Sequence, residues 1–308
     1  QQLEHHERTV LNEVLSKVMK RFIFESDIPS WASPSILQDR LNRWVAAGLD
    51  TVMLQVDDGH GATWGTTAWG LDARVSQSAL RDAVAAIHDR GLSVVACVSL
   101  AAFNPVFSHH PEWVLGQFQF TFYDFWNAGF RAARLNMLKD LVDGYDIDAV
   151  ALDYLRTGRE AVVGQPPAAS VLAEWLQSVR TELSAAIPIL SVHHSSYTSG
   201  VKEGVNLTAW GDAGVIDGSV LFNYSPSFPA AHVLDLRVAS RLEVWALIGN
   251  YDWTNNSAVV RSGLAVSRCW RRAVRECAPD ALGVYLANLF TAEQAIAIRY
   301  TQLMLGAA

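Results

Sequence analysis

Short strand-like apolar runs alternate with helical patterns along the chain, from about residue 20 to its end. The eight strand-like runs, in chain order, are Arg21–Glu25, Thr51–Asp57, Ser93–Ser99, Ala149–Asp153, Ile187–His193, Gly218–Asn223, Glu243–Ile248 and Gly283–Ala287. Helical periodicity is clearest over Pro34–Ala47, Gln77–Arg90, Gly129–Val142, Ser170–Ala186 and Val259–Cys277. Eight strands that alternate with helices are typical of a closed parallel barrel, so the sequence predicts an α/β fold of the (β/α)8 TIM-barrel class.

A single domain accounts for this alternation. The chain has 308 residues and half of them are hydrophobic, which is enough to bury one large core. An open doubly wound sheet is the alternative, but it needs a glycine-rich phosphate turn after the first strand, and residues 25–29 do not form one. We therefore predict a barrel over residues 20–308, preceded by a helical extension over residues 1–19.

Composition excludes several partners and cofactors. The net charge of −7, without a basic block, argues against nucleic acid as the main partner. No apolar run is long enough to span a membrane, and the cysteines Cys97, Cys269 and Cys277 form no C-x-x-C pair. We expect no metal, no cofactor and no membrane association. The oligomeric state stays open, as does the compartment, with secretion or a periplasmic location as options if an upstream signal was removed.

The fourth strand-like run ends in an acid, an aromatic residue and a base. Ala149–Leu152 is apolar, as in strands that are covered on both faces, and Asp153, Tyr154 and Arg156 follow. Barrel enzymes place their chemistry at the carboxyl ends of the strands, which makes Asp153 the leading catalytic candidate. The structural alternative is that Asp153 caps the next helix or pairs with Arg156.

Side-chain alternation along the strands sorts the polar residues between the two faces of the barrel wall. Bulky Val150 and Leu152 suit the helix layer, so Asp153 faces inward on this interpretation. The late strand positions predicted to converge on the interior are Glu25, Asp57, Asp153, His193 and Asn223. The same alternation predicts that six further side chains face inward: Ile23, Met53, Gln55, Ser191, Ser219 and Leu221. A one-residue error in the register of any strand would exchange its inward-facing and outward-facing side chains.

These residues suit acid/base chemistry on a carbohydrate. Glycosidases need one carboxyl protonated as an acid and another ionised as a nucleophile or base, and clustered carboxylates push their pKa values apart. We predict that Asp153 is the central catalytic group, kept ionised by Arg156. Asp57 is its predicted partner, and Asp252 and Glu25 are further candidates. The predicted substrate-binding residues are Gln55, His60, Trp64, Trp113, Tyr154, Arg156, His193, Asn223, Tyr224 and Trp253.

Aromatic residues are frequent in segments 58–70 and 100–128, which follow strand ends and are predicted to wall a cleft. Eleven tryptophans is a high count for this length, and an indole face can stack on a sugar ring. Trp64 and Trp113 are the leading sugar contacts. The alternative is that such residues fill gaps in the loops or between the helices.

The sequence lacks the motifs that define two other enzyme classes. An amidohydrolase-like metal site needs an H-x-H pair at the end of the first strand, and that strand has none. A nucleophilic serine hydrolase needs G-x-S-x-G, which the sequence does not contain. The alternative from a different class is a catalytically inert barrel that binds glycans. Such a barrel would lack a second carboxylate within about 10 Å of Asp153.

Several segments resemble motifs of a known family. They are His110–Trp113, Tyr145–Asp148, Leu152–Arg156 and Ala47–Val56. They are similar to the HPEW … YDVDGIHLDYIR pattern and the GINTVFVQV run of the glycosyl hydrolase-like TIM-barrel family, over roughly residues 40–160. The resemblance implies a barrel that acts on a polysaccharide or glycan, with Asp153 at the acidic position of strand four. Two departures are Ala149, where the pattern has glycine, and Thr157-Gly158, where it has Tyr-Pro.

Overall fold

A computed structural model describes residues 19–59, 61–66, 72–103, 110–115, 121–157, 164–194, 204–222, 230–239, 241–254, 257–285 and 287–305. Apart from residue 19, the predicted helical extension lies outside them. The centre is a closed barrel of parallel strands, which confirms the predicted TIM-barrel class. Strands one to eight, in chain order, are Lys20–Glu25, Thr51–Asp57, Ser93–Ser99, Ala149–Asp153, Ile189–His194, Gly218–Phe222, Glu243–Gly249 and Ala281–Tyr285. Each strand pairs with its neighbours in sequence, and strand eight closes the barrel on strand one.

Helices cover the outside of this barrel. In the described residues they are Ile28–Trp31, Pro34–Ala46, Ala79–His88, Ala128–Gly144, Ala168–Glu182, Leu207–Asp212, Ala230–Ala239, Gly263–Glu276 and Ala292–Met304. Several begin at caps that the sequence encodes: the Asn127 side chain accepts from the Phe130 N–H, and Thr291 forms a capping box with Gln294. In this part of the chain, no helix has both the length and the hydropathy needed to cross a membrane.

The hydrophobic core has two parts, which the barrel wall separates. The side chains that fill the barrel itself are Phe22, Phe24, Met53, Val95, Cys97, Ala149, Ala151, Leu190, Val192, Val220, Phe222, Trp245, Leu247 and Ala281. The intervening positions, among them Ile23, Val150 and Leu221, pack outward against the helices. The last inward position of each strand therefore lies at the barrel mouth, the face where the strands have their carboxyl ends.

The predicted parity is right in strand four and wrong in strands one, five and six. Met53 faces inward as predicted, and Ala149 and Ala151 face inward because they alternate with Val150 and Leu152, which were assigned to the helix side. The residues predicted as inward that lie on the helix side are Ile23, Glu25, Ser191, His193, Ser219 and Leu221. Before Asp153, strand four contributes only the small side chains of Ala149 and Ala151 to an interior that must be filled as densely as any protein core. Bulky side chains such as Phe24 and Phe222 therefore turn inward from other strands.

Two small antiparallel sheets follow the carboxyl ends of barrel strands. Tyr251–Thr254 pairs with Ser257–Val260 after strand seven. The second sheet, which follows strand three, consists of Ala102–Phe103, Val114–Leu115 and Thr121–Tyr123. Because insertions after strand ends lie on the mouth side of such a barrel, both sheets border the mouth. The described part of the predicted cleft wall over 100–128 therefore includes this three-stranded sheet.

Candidate active site

Asp153 ends strand four inside the barrel mouth. It follows the inward-facing Ala151 by two residues and is paired in register with Ser99 of strand three. Only 6% of Asp153 is exposed. The Tyr154 N–H donates to Oδ1 of Asp153 at 2.7 Å, and the Leu100 N–H donates to the Asp153 backbone carbonyl at 2.9 Å. Local backbone groups thus hold both the carboxylate and the strand end that carries it.

The turn that follows Asp153 has an unusual backbone conformation. Tyr154 has a φ of 52°, in the left-handed region that non-glycine residues rarely adopt, at a cost of about 1–3 kcal/mol. The Arg156 guanidinium lies 5.0 Å from the centre of the Tyr154 ring and 5.3 Å from that of Phe122. This packing buries Arg156 and fixes the path of the chain after the strand. The strained turn is therefore stabilised by aromatic and cationic contacts beside the carboxylate.

Burial raises the pKa of Asp153 from 3.8 to about 6. The Tyr154 N–H and the charge of Arg156 both lower this pKa, but burial outweighs them. The charge of Arg156 acts in the predicted direction, toward the ionised form, but it only partly offsets the effect of burial. A carboxyl group with a pKa close to neutrality can both donate and accept a proton near pH 7, as a general acid or base must.

Two uncharged polar side chains accompany Asp153, and together the three residues form the polar side of the mouth. Gln55 faces inward from strand two, and its amide nitrogen donates to Ser99 Oγ at 3.1 Å. Gln55 and Ser99 are each only 5% exposed. The sequence predicts Gln55 as a site residue but misses Ser99. Strand alternation could have identified Ser99, since it ends strand three beside the end of strand four.

Four aromatic residues, Phe24, Phe222, Tyr251 and Tyr285, form the aromatic side of the mouth. The Tyr285 ring lies 5.5 Å from Phe24, 5.3 Å from Phe222 and 6.1 Å from Tyr251, measured between ring centres. Tyr285 is partly exposed, whereas the other three are buried. None of the four is among the predicted contacts. The predicted parity of strands one and six is wrong, and it assigns Phe24 and Phe222 to the helix side.

Asp57, the predicted catalytic partner of Asp153, faces the helix layer. The pairing of strands two and three shifts just before Asp57, which lies opposite Val98, an outward residue. Its Oδ2 accepts from Arg134 Nη1 at 2.7 Å, and its Oδ1 accepts from the Gly59 N–H at 2.8 Å. The side chains of Asp57 and Arg134 have no exposed surface. Burial raises the pKa of Asp57 while the charge of Arg134 opposes that rise, a pattern that fits a structural ion pair.

The two other candidate carboxylates are also held by arginines. Glu25 accepts a hydrogen bond from Arg40 on the helix side of strand one, and burial raises its pKa to about 7. Asp252, in the hairpin after strand seven, is about half exposed and accepts from Arg261 Nη2 at 2.6 Å. Among the described residues, the structure therefore does not bring the predicted set of carboxylates together around Asp153.

The remaining predicted contacts lie in different environments. His193 faces the helices, with its Nε2 2.7 Å from Ser219 Oγ. Trp64 is fully buried and offers no face to a sugar, whereas Trp113 is partly exposed and stacks on His110 at 3.7 Å. The residues that lie outside the described part, wholly or in their side chains, are His60, Asn223, Tyr224 and Trp253. Where the structure describes the chain, it has no group of three or more His, Cys, Asp or Glu residues placed to hold a metal ion.

Solved structures that share this barrel include three glycoside hydrolases. The PgaB (BpsB) glycoside hydrolase domain from Bordetella bronchiseptica is 13% identical, with a TM-score of 0.69 over 92% of this chain and 98% of that one. The fold that this chain shares with that domain is a TIM barrel. Alpha-L-fucosidase isoenzyme 2 from Paenibacillus thiaminolyticus is 12% identical, with a TM-score of 0.67 over 93% of this chain, which spans 49% of the fucosidase. A Rhizomucor miehei chitinase is 11% identical, with a TM-score of 0.58 over 92% of this chain and 99% of the chitinase.

No family model matches the sequence, and no curated protein does. At identities of 11–13%, the structural likeness shows the fold alone.

Proposed function

We propose that this protein is a glycoside hydrolase that acts on a polysaccharide or glycan, with Asp153 as its general acid/base. The observation that carries the proposal is the placement of Asp153: an inward carboxyl group at the mouth, 6% exposed, with a pKa raised to about 6 by burial. With such a pKa, about a tenth of the Asp153 carboxyl groups are protonated at pH 7. Asp153 is thus suited to give a proton to the oxygen of a departing sugar and to recover it from water.

The aromatic side of the mouth supplies a surface for the sugar. Apolar faces of sugar rings pack on aromatic rings, and Tyr285 is the ring of this group that is partly exposed. The proposed arrangement places a sugar ring on Tyr285 and its scissile bond toward Asp153, with Gln55, Tyr154 and Arg156 as polar neighbours. Trp113, whose side chain is partly exposed, is a further proposed sugar contact in the cleft. Neither a metal nor another cofactor enters this mechanism.

The glycoside hydrolase neighbours support this proposal because they show that the same barrel fold carries glycoside hydrolysis in other proteins. The resemblance of the Leu152–Arg156 segment to the strand-four motif supports it independently.

The second candidate is an inert barrel that binds glycans without cleaving them. It is favoured by one observation: among the described residues, Glu25, Asp57 and Asp252 are each engaged by an arginine, and Glu25 and Asp57 face the helices. A glycosidase of the usual two-carboxylate kind would place a second carboxyl group about 5–9.5 Å from the first. Binding without turnover is therefore the outcome that separates the two candidates.

The test is a screen for release of reducing ends from plant, fungal and bacterial glycans, followed by Asp153→Asn on the glycan that is cleaved. Loss of a general acid/base should lower kcat about 10²- to 10⁴-fold. Asp58→Asn is the control, because the Asp58 carboxylate is paired with Arg74, and it should leave kcat within about twofold of wild type. Glycan binding with no release of reducing ends favours the inert barrel. Asp153→Asn with kcat within about tenfold of wild type would leave Asp153 a structural role only.

A further inference from the structure

The amide of Gln55 has a fixed orientation. Its Nε2 lies 2.5 Å from the backbone carbonyl oxygen of Asp57 and 3.1 Å from Ser99 Oγ. A carbonyl oxygen only accepts hydrogen bonds, so the amide atom that faces it must be the nitrogen. The second hydrogen of that nitrogen then points to Ser99. Gln55 is therefore a donor to the Ser99 hydroxyl.

This contact decides what the Ser99 hydroxyl can do. Its oxygen accepts from Gln55, so its own hydrogen is directed to some other acceptor. No such acceptor is found for it within the described residues. Because the side chain faces the mouth, the hydroxyl is a donor toward whatever occupies that space.

Asp153 presents the complementary atom beside this donor. Ser99 and Asp153 are paired in register on neighbouring strands, which lie about 4.8 Å apart, and both face inward. Oδ1 of Asp153 accepts from the Tyr154 N–H, whereas Oδ2 receives no hydrogen bond from the described part of the chain. One donor and one acceptor, carried by residues that are paired in register, therefore face the mouth side by side.

We propose that Ser99 and Asp153 together bind one oxygen atom, the oxygen with which Asp153 exchanges its proton, and that Gln55 is the positioning residue for Ser99. In the resting protein this oxygen belongs to a water, which donates to Asp153 and accepts from Ser99. The identity of the oxygen during turnover rests on the proposed hydrolase function.

During hydrolysis the same two groups serve both proton transfers. The glycosidic C–O bond breaks as the proton of Asp153 passes to the leaving oxygen, which departs as a hydroxyl group. A water then adds to the sugar carbon and returns a proton to the Asp153 carboxylate. In the first step the Ser99 hydroxyl donates to the leaving oxygen and stabilises the negative charge that develops on it as the C–O bond breaks. In the second step Ser99 holds the water beside the Asp153 carboxylate, which accepts the proton of that water.

A carbon-13 NMR titration of the Asp153 carboxyl group tests the pairing without any substrate. The signal is assigned by its loss in Asp153→Asn. Ser99→Ala removes the donor that holds the bridging water, so the ionised carboxylate is less well solvated and the pKa of Asp153 should rise above the wild-type value. Ser99→Thr keeps the hydroxyl and should restore the wild-type titration.

A double substitution tests the role of Gln55. Gln55→Met should raise the pKa of Asp153 less than Ser99→Ala does. It should add nothing in the Ser99→Ala background, because Gln55 acts through Ser99. If Ser99→Ala does not fold, Ser99→Cys takes its place, since a thiol is a weak donor of similar size. An unchanged titration in the Ser99 variant, or full additivity of the two substitutions, overturns the proposal.

Turnover separates this proposal from the proposed function. On a glycan that the screen finds to be cleaved, Ser99→Ala should lower kcat roughly tenfold to a hundredfold with KM little changed, and Ser99→Thr should recover most of it. If the titration behaves as expected and no glycan is cleaved, the Ser99–Asp153 pairing stands and the hydrolase function fails. If a glycan is cleaved and Ser99→Ala changes neither kcat nor the titration, the pairing fails and the hydrolase function stands.

Discussion

The ends of strands two and four look alike in sequence and differ in structure. Thr51–Asp57 and Ala149–Asp153 are both largely apolar runs that end in aspartate, and both aspartates are buried. Strand four keeps its register to the end, so Asp153 reaches the mouth beside Ser99. Strand two shifts its register before Asp57, which reaches the helix layer and pairs with Arg134.

The register shift before Asp57 thus determines that Asp153, and not Asp57, faces the mouth. Burial raises the pKa of both groups, but their counter-charges differ. Asp57 accepts directly from Arg134 at 2.7 Å, whereas Arg156 acts on Asp153 through its charge. A direct ion pair in a closed environment is what a structural carboxylate needs. A group that must gain and lose a proton needs a pKa near the working pH and access to the mouth.

The largest effect should be the loss of stability in Asp57→Asn. The substitution leaves the Arg134 charge buried without its counter-charge, which should lower the free energy of unfolding by about 3–5 kcal/mol. Urea denaturation measures the change, with Asp58→Asn as a control expected to stay within about 0.5 kcal/mol of wild type. If Asp57→Asn is as stable as wild type, the Asp57–Arg134 pair does not hold strand two to its helix.

The next effect is a pH dependence that Asp153 imposes on stability. Below pH 3.8 the carboxyl is protonated whether the chain is folded or unfolded, and above about pH 6 it is ionised in both states. Between those values the folded state binds more protons, so the free energy of unfolding falls as pH rises through this window. The difference between wild type and Asp153→Asn should change by up to about 3 kcal/mol, since one pKa unit is about 1.4 kcal/mol.

Denaturation of both proteins at pH 4 and pH 7 measures that difference. Glu25, whose pKa is also raised, is present in both proteins and cancels from the comparison. A difference that is the same at the two pH values would mean that the pKa of Asp153 is close to 3.8.

A smaller effect is expected on the aromatic side of the mouth. Tyr285→Ala should weaken glycan binding roughly threefold to tenfold, the affinity that one aromatic contact contributes. Trp64→Phe is the control, since Trp64 is fully buried and should leave glycan affinity unchanged. Isothermal titration of the glycan from the screen, in an Asp153→Asn background, measures both. Weaker binding in Trp64→Phe alone would restore the sequence-based prediction for that residue.

The sequence predicts the barrel well because its short, largely apolar runs alternate regularly with helical patterns. All eight strands are found, with ends within two residues of those predicted. Asp153 is found for the same reason: its strand is regular, and its outward Val150 and Leu152 set the parity. Which residues of strands one, five and six face inward could not be predicted from each strand alone. Which side chains fill the interior depends on the volume that all strands leave together.

The register shift before Asp57 is the other feature that local pattern does not encode. It depends on how strands two and three fit each other, and it moves a carboxylate from one side of the wall to the other. Ser99 shows the opposite case. Its position was predicted correctly as the end of strand three, but its importance arises from Gln55 and Asp153, which lie on two other strands.

The most direct test of the difference between the two strand ends is kcat of Asp57→Asn and Asp153→Asn on the same glycan, expressed per folded molecule. We expect Asp57→Asn to stay within about tenfold of wild type, because its carboxylate faces the helices, and Asp153→Asn to fall at least about a hundredfold. An equal loss in both variants, or a greater loss in Asp57→Asn, would contradict the assignment of Asp153 as the acid/base group of the mouth.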